Sequence, residues 1–291
     1  MPFPPGGATD ASARALANEM EGSLGQPIIV DNRGGANGII GCDIVAKAAP
    51  DGYTLMHISV AFAINPSTYK KLPFDAVRDF TPITNPIVGH GALLVVHPSL
   101  PARSVGEFVA LAKKQQLIFS SPGIGNVLHL ITEAISLRAG IRMLHVPYKG
   151  SGPALIALLG AEAQVMVVPP LTATAHIKAE RLRALGYSGA KRLETMPDLP
   201  TIGEAGLGGL AGFHMDSGWH AWFAPAKTPD SIITRVYSAI HQAVQSPKMR
   251  DLFQAAGYQP VADPPAVFQK SVRADIQRWG ELVRLAKITP E

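Results

Sequence analysis

Cysteine is almost missing. Cys42 is the single one in 291 residues, so no intramolecular disulfide can form. It sits in IIGCDIVAKA, an apolar helical pattern where a buried structural thiol is expected, not a nucleophile. Charge is scarce as well, at 16% of residues against 47% hydrophobic ones, a balance that excludes the disordered class. No apolar run approaches the roughly 18–20 residues of a membrane-spanning helix. No run of Lys and Arg is long enough to track a nucleic-acid backbone and aromatics make up only 7%, so no nucleic-acid partner is expected. The net charge of +4 reads as a mild bias toward anions. The opening MPFPPGG has no charged n-region and no apolar h-region, so no signal peptide is expected within this sequence.

What is plentiful is punctuation. With 28 glycines and 25 prolines spread along the chain, many short elements are expected. Strand and helix patterns alternate, which argues for parallel α/β architecture, and the length suffices for two medium lobes. Thr9 or Asp10 is expected to cap a helix over Ala13–Leu24, ended by Gly25. Pro27–Val30 reads as a buried strand, Ile39–Ala48 as a helix and Tyr53–Ile58 as a strand. Leu93–Val96 is a further buried strand. Ser104–Lys114 is a helix whose cap, Ser104, has Glu107 three residues on, the capping-box spacing. Strands at Leu117–Ser120, Arg142–Val146, Ala163–Val168, Leu182–Tyr187 and Trp219–Phe223 alternate with helices at His129–Ala139, Pro153–Leu159 and Ala175–Glu180. Helices over Pro229–Ser246, Pro247–Gly257 and Pro264–Leu285 close the chain. No low-complexity linker separates two domains, so any crossing between lobes should run on ordered strands, with Leu93–Val96 and Trp219–Phe223 the natural places.

Two Gly-rich loops carry the chemistry, Phe3–Asp10 and Ser120–Asn126, each just ahead of a helix. Glycine lets successive N–H groups converge, and a helix N-terminus adds orphan donors and partial positive charge. Such a place holds a carboxylate or phosphate without Arg or Lys, though a single such loop is also an ordinary strand-to-helix turn. Gly34–Gly41 lacks both nucleotide-binding spacings, so tight packing is expected there instead. His129 and Glu133 stand i, i+4, half a metal site with no third ligand, so no metal is expected. His214 and His220 form no evident cluster, and no G-x-S-x-G elbow exists. Trp219 and Trp222 should face opposite sides of their strand.

Taken together, several ordered blocks closely resemble the Bug family, the TctC-type substrate-binding proteins of tripartite tricarboxylate transporters. The blocks are PFPPGGATD at 2–10, LGQPIIVDNRGGANGIIG at 24–41, AAPDGYTL at 48–55, INPSTYKKLPFD at 64–75 and HPSLPARSVGEFVALAK at 97–113. SSPGIGNVLH at 120–129, VPYKGSGPAL at 146–155, HIKAERLRAL at 176–185 and MPDLPTIGEAG at 196–206 continue the match over essentially the whole chain. The resemblance implies a two-lobed periplasmic-binding-protein fold (type II-like) with a hinged cleft, each lobe a mostly parallel sheet flanked by helices. Residues 1–95 with 219–291 would form one lobe and 96–218 the other.

It also implies a ligand carboxylate held by Phe3, Gly6, Gly7, Thr9 and Asp10 from one side, and by Ser120, Ser121, Gly123, Gly125, Asn126 and His129 from the other. Asp10 is expected to cap its helix and stiffen its loop. The function implied is an extracytoplasmic receptor, not an enzyme, with a small carboxylate and the transporter's membrane subunits as partners, periplasmic, monomeric and without a cofactor. Family members carry a signal peptide and a strand just before PFPPGG. Neither is in this sequence, so the first loop is expected to lack an anchor. At Val167-Val168-Pro169-Pro170, relatives often show an acidic or amide residue, so a less polar cleft wall is expected. Two alternatives remain open: the same cleft serving a sensor kinase, which gene neighbours would separate, and an α/β enzyme, which would need a perturbed acid or base in the cleft.

Overall fold

The computed structural model describes residues 1–285 and 288–290. Helix α1 (Ala8–Leu24) begins the chain, stopped by Gly25 in the left-handed region that glycine enters freely. Next come α2 (Ile39–Ala46), β1 (Met56–Ser59), α3 (Ala61–Thr68), β2 (Phe80–Gly89) and β3 (Leu93–Val96). Helix α4 (Val105–Ala112) starts with half of the capping box: Glu107 N–H donates to the cap Ser104 Oγ at 3.1 Å, while the Glu107 carboxylate reaches one residue beyond the cap, to Arg103 N–H. Then follow β4 (Leu117–Ser121), α5 (Val127–Ala139), β5 (Met143–Pro147), α6 (Ser151–Leu159), β6 (Val165–Val168), α7 (Pro170–Lys178) and β7 (Arg183–Tyr187). The chain closes with β8 (Gly218–Pro225), α8 (Asp230–Gln245), α9 (Pro247–Ala255), β9 (Tyr258–Pro260) and α10 (Pro265–Leu285).

These elements form two units. The first contains Met1–Val88, Trp219–Gln254 and Tyr258–Glu291; the second contains Gly89–Gly218 and Ala255–Gly257. The first is built on a four-stranded sheet in the order β1-β8-β2-β9, with α1 against α8 and α10 against α3. Strand β8 runs antiparallel to β1, placing Trp222 opposite His57 and His220 opposite Ser59. The second is built on a five-stranded sheet in the order β5-β4-β6-β3-β7. There β4 pairs in parallel with β5 and β6, and β3 is the antiparallel strand between β6 and β7. All four residues of β3 are fully buried, as an inner strand covered on both faces demands.

Several expectations change. The chain passes between units at Val88 and Gly89, not on Leu93–Val96, because β3 is held by ladders on both sides within the second sheet. The return at Gly218 and Trp219 is where β8 begins, and residues 255–257 make a further brief excursion. Pro27–Val30 is not a strand, and Ile29 is 87% exposed. An apolar run specifies extended backbone but not a pairing partner. β1 starts only at Met56, because Asp51 Oδ1 accepts Tyr53 N–H at 3.0 Å and keeps that stretch a turn. Both Trp219 and Trp222 are buried, with different partners. Trp219 Nε1 donates to Asp275 Oδ2 at 2.7 Å, while Trp222 lies against the His57 ring, centroids 5.1 Å apart.

Candidate functional site

Asp10 ties the first loop to the start of its helix. The helix starts earlier than expected, with Gly7 as its N-cap and no side chain capping it, so Thr9 and Asp10 lie inside the first turn. From its third helical position the buried Asp10 reaches back: Oδ2 accepts Gly6 N–H at 3.1 Å, half of a capping box run in reverse. Arg14 Nε donates to the same oxygen at 3.2 Å, and Asn32 Nδ2 donates to Oδ1 and to the Phe3 carbonyl, each at 2.9 Å. Burial alone would raise the Asp10 pKa; the bonds from Asn32, Arg14 and Gly6, with the Arg14 charge, outweigh it and hold the carboxyl below its usual value. Gly6 itself is at φ +89°, a conformation that glycine adopts without penalty.

The anchor that the sequence reading found lacking is present. The Met1 ammonium donates to the Asp31 carbonyl at 2.9 Å, and Arg33 N–H donates to the Met1 carbonyl at 2.8 Å, the alternation of a parallel ladder. The Gly34–Gly41 segment is the packing surface beneath. A Cβ on Gly34 would stand 2.8 Å from Pro4 Cδ, and one on Gly41 would stand 2.8 Å from Pro2 Cα. Those glycines let residues 2–4 lie directly on the backbone, which accounts for their number without a nucleotide.

Beneath Thr9 lies a cluster that sequence reading missed. Ser12 Oγ is 2.9 Å from His57 Nε2, 2.8 Å from His220 Nδ1 and 3.0 Å from the Thr9 carbonyl, while Thr9 Oγ1 is 3.4 Å from His220 Nε2. Burial pushes the His220 pKa down to about 3, and burial together with the neighbouring His220 pushes His57 well below its normal value, so both rings are neutral at pH 7. Ser12 and two histidines look like catalytic parts, but Ser12 is only 1% exposed, sealed from any substrate.

In the second unit, Asn126 caps α5, its Oδ1 accepting Leu128 N–H at 3.1 Å. Gly123 and Gly125 take φ of +142° and +71° and turn the loop. Much of the loop's hydrogen bonding is internal, contrary to the expected set of outward donors. Gly123 N–H goes to Ser121 Oγ, Asn126 N–H to the Gly123 carbonyl and Gly125 N–H to His129 Nδ1, each at 3.2 Å. A ring nitrogen that accepts is unprotonated, so His129 carries its proton on Nε2, 3.5 Å from Glu133 Oε1. His129 stacks on His145 with centroids 4.1 Å apart, and His145 stacks on Phe119. His145 Nε2 is 2.6 Å from Ser121 Oγ; burial, then the neighbouring His129, bring its pKa down to about 4 against the opposing pull of Glu133.

Of the predicted residues, Phe3, Gly6, Gly7, Thr9 and Asp10 therefore gather at the start of α1, and Ser121, Gly123, Gly125, Asn126 and His129 at the start of α5. Ser120 does not join them: its hydroxyl donates to the Ala154 carbonyl of α6, on the other face of its strand. His220 belongs to the site's support through Thr9, whereas His214 bonds locally, to the Gly212 carbonyl. Arg14, Asn32, Ser12, His57 and His145 are additions; of these only Arg14, four residues after Asp10 on the same helix, has a partner that sequence spacing could have marked. Among the described residues no group of three or more His, Cys, Asp or Glu could hold a metal, and Cys42 is fully buried, its thiol pKa pushed up by that burial.

Comparison with known proteins identifies the framework. The family model described as "Tripartite tricarboxylate transporter family receptor" matches residues 12–288. Protein BugT of Bordetella pertussis is 37% identical over 289 residues, covering 98% of this chain and 87% of that protein. The solved structure of R. palustris Rpa4515 with adipate is 30% identical with a TM-score of 0.94, over 100% of this chain and 96% of that one. MatC from Rhodopseudomonas palustris, solved with bound malate, is 30% identical with a TM-score of 0.86, over 97% of this chain and 96% of that one. The chain belongs to the TctC family, the receptors of the tripartite tricarboxylate transporters.

Proposed function

We propose that this receptor binds a small dicarboxylate, gripping one carboxylate at the start of α1. The observation that carries the reading is the first turn of α1. Gly7 offers no side chain to cap it, Gly6 is exposed, and Asp10, the one acid there, is tied to Arg14 and Asn32. Unpaired first-turn N–H groups with the helix dipole behind them suit an incoming carboxylate. The adipate and malate held by two relatives support a ligand of that class. In this reading the protein works in the periplasm and hands its ligand to the transporter's membrane subunits.

A micromolar dissociation constant corresponds to about −8 kcal/mol, which several charge-assisted hydrogen bonds supply. Thermal melts against succinate, malate, adipate and a set of monocarboxylates test the reading. A ligand at one hundred times its dissociation constant stabilises the native protein by about 2.7 kcal/mol, a melting-temperature rise of several degrees. A flat response to every carboxylate would overturn it.

A further inference from the structure

The cluster under Thr9 has one consistent set of protons. A backbone carbonyl carries none, so in the 3.0 Å contact between Ser12 and the Thr9 carbonyl the proton belongs to Ser12. Ser12 has no second proton, so at 2.9 and 2.8 Å it accepts from both rings. His57 must then be protonated on Nε2 and His220 on Nδ1. A neutral His220 is left with a bare Nε2, and the 3.4 Å contact there must be donated by the Thr9 hydroxyl. With neutral rings, no other arrangement puts a proton into all four contacts.

A separate observation agrees. The assignment leaves His57 Nδ1 as a bare acceptor, and His57 Nδ1 is a buried atom with no partner among the described residues. So is Trp222 Nε1, a donor, on the ring that packs against His57. The opposite tautomer of His57 would set two unsatisfied donors in adjacent buried rings, the costlier arrangement.

We propose that the His57–Ser12–His220 chain fixes Thr9 as a hydrogen-bond acceptor toward the ligand, so that the loop selects carboxylates bearing a hydroxyl or ammonium donor on the adjacent carbon. This rests on the carboxylate reading above. First-turn N–H groups take the carboxylate, and Thr9, on that same turn, meets the next atoms with its lone pairs. A hydroxyl there gains a bond, whereas a second bare oxygen meets only lone pairs. His57, Ser12 and His220 are positioning residues, since they act on the ligand only through Thr9.

Malate and succinate differ by one hydroxyl and form the probe pair. Calorimetric titration of the full chain is expected to favour malate by about fivefold, the worth of one net hydrogen bond. Thr9→Val, at a half-exposed position, should bring the two affinities together, and His220→Phe, which frees the Thr9 proton, should shift the ratio toward succinate. Damage to the fold would weaken both ligands in parallel and leave the ratio alone. Long-range ¹H–¹⁵N spectra should show His220 as the Nδ1–H tautomer and His57 as the Nε2–H tautomer. A wild-type ratio of one or below, an unchanged ratio in Thr9→Val, or His220 protonated on Nε2 overturns the proposal. Binding of neither acid, with the tautomers as assigned, would instead bring down the carboxylate reading and this selectivity with it.

Discussion

Lowering the pH from 7 to 5 should destabilise the first unit, and the size follows from His220. In the unfolded chain this ring titrates near its ordinary value of 6.5; folded, burial holds it at about 3. Between those values the unfolded chain binds the extra proton, so stability rises with pH across that window. The contribution is complete above the unfolded value and disappears as pH falls toward the folded one. Integrated from pH 7 to pH 5, a single such histidine costs about 2 kcal/mol. His57, also depressed by burial, acts in the same direction. The assay is urea unfolding followed by tryptophan emission, which reports on this unit because Trp219, Trp222 and Trp279 all lie in it. His220→Gln, which cannot titrate, should lose about 2 kcal/mol of the difference between the two pH values. Equal wild-type stability at pH 7 and 5, or a His220→Gln protein that keeps the full difference, would refute the assignment of a neutral buried ring.

Two substitutions probe the seat of the first loop. Asp10→Asn turns one of the two acceptor oxygens into an NH2 donor, so either Gly6 N–H with Arg14 or the Asn32 amide loses its acceptor, with an expected loss of about 1–3 kcal/mol in the unfolding free energy. Because the folded Asp10 pKa is depressed, its contribution is present above the ordinary value of 3.8 and lost as pH falls below it, so the variant should lack that part of the acid limb. Gly41→Ala would drive a Cβ to within 2.8 Å of Pro2 Cα and 3.0 Å of the Arg33 carbonyl, both backbone. Displacing residues 2–4 should cost about 1–3 kcal/mol and weaken carboxylate binding measured by calorimetry; unchanged affinity would show that the loop does not depend on that seat.

Local chemistry was legible in the sequence, and long-range chemistry was not. Ser104 with Glu107, Gly25 at the end of α1 and the two Gly-rich loops could be read because their partners lie within a few residues. α3 and β2 left little to read: Pro66 sits inside the helix and Pro82 and Pro86 inside the strand, residues that ordinarily argue against both. Pro27–Val30 misled because apolarity and β-branching specify a backbone shape, not a neighbour. Asp10 bonds back to its loop but was wrongly placed as the cap, since a glycine with no capping side chain holds that position. The Ser12, His57 and His220 contacts span 45 and 208 residues, so only the pairing of β1 with β8 brings them together. The same holds for His129 of α5 and His145 of β5, whose rings stack with Phe119 of β4 only once the unit has folded.

The strand order of the first sheet has a consequence for synthesis. β1 touches only β8, and β2 lies between β8 and β9, so no ladder of that sheet joins two strands from the first 217 residues. The second sheet draws all five strands from residues 93–187. As the chain emerges, the middle unit can close early, whereas β1 and β2 wait with bare edges until β8 arrives to enter between them. Long-range strand pairing is slow and leaves apolar edges open to aggregation in the meantime. Residues 1–88 are therefore the stretch with most need of a chaperone before the chain is complete, and a permuted chain beginning near residue 219 would shorten that wait by delivering β8 first.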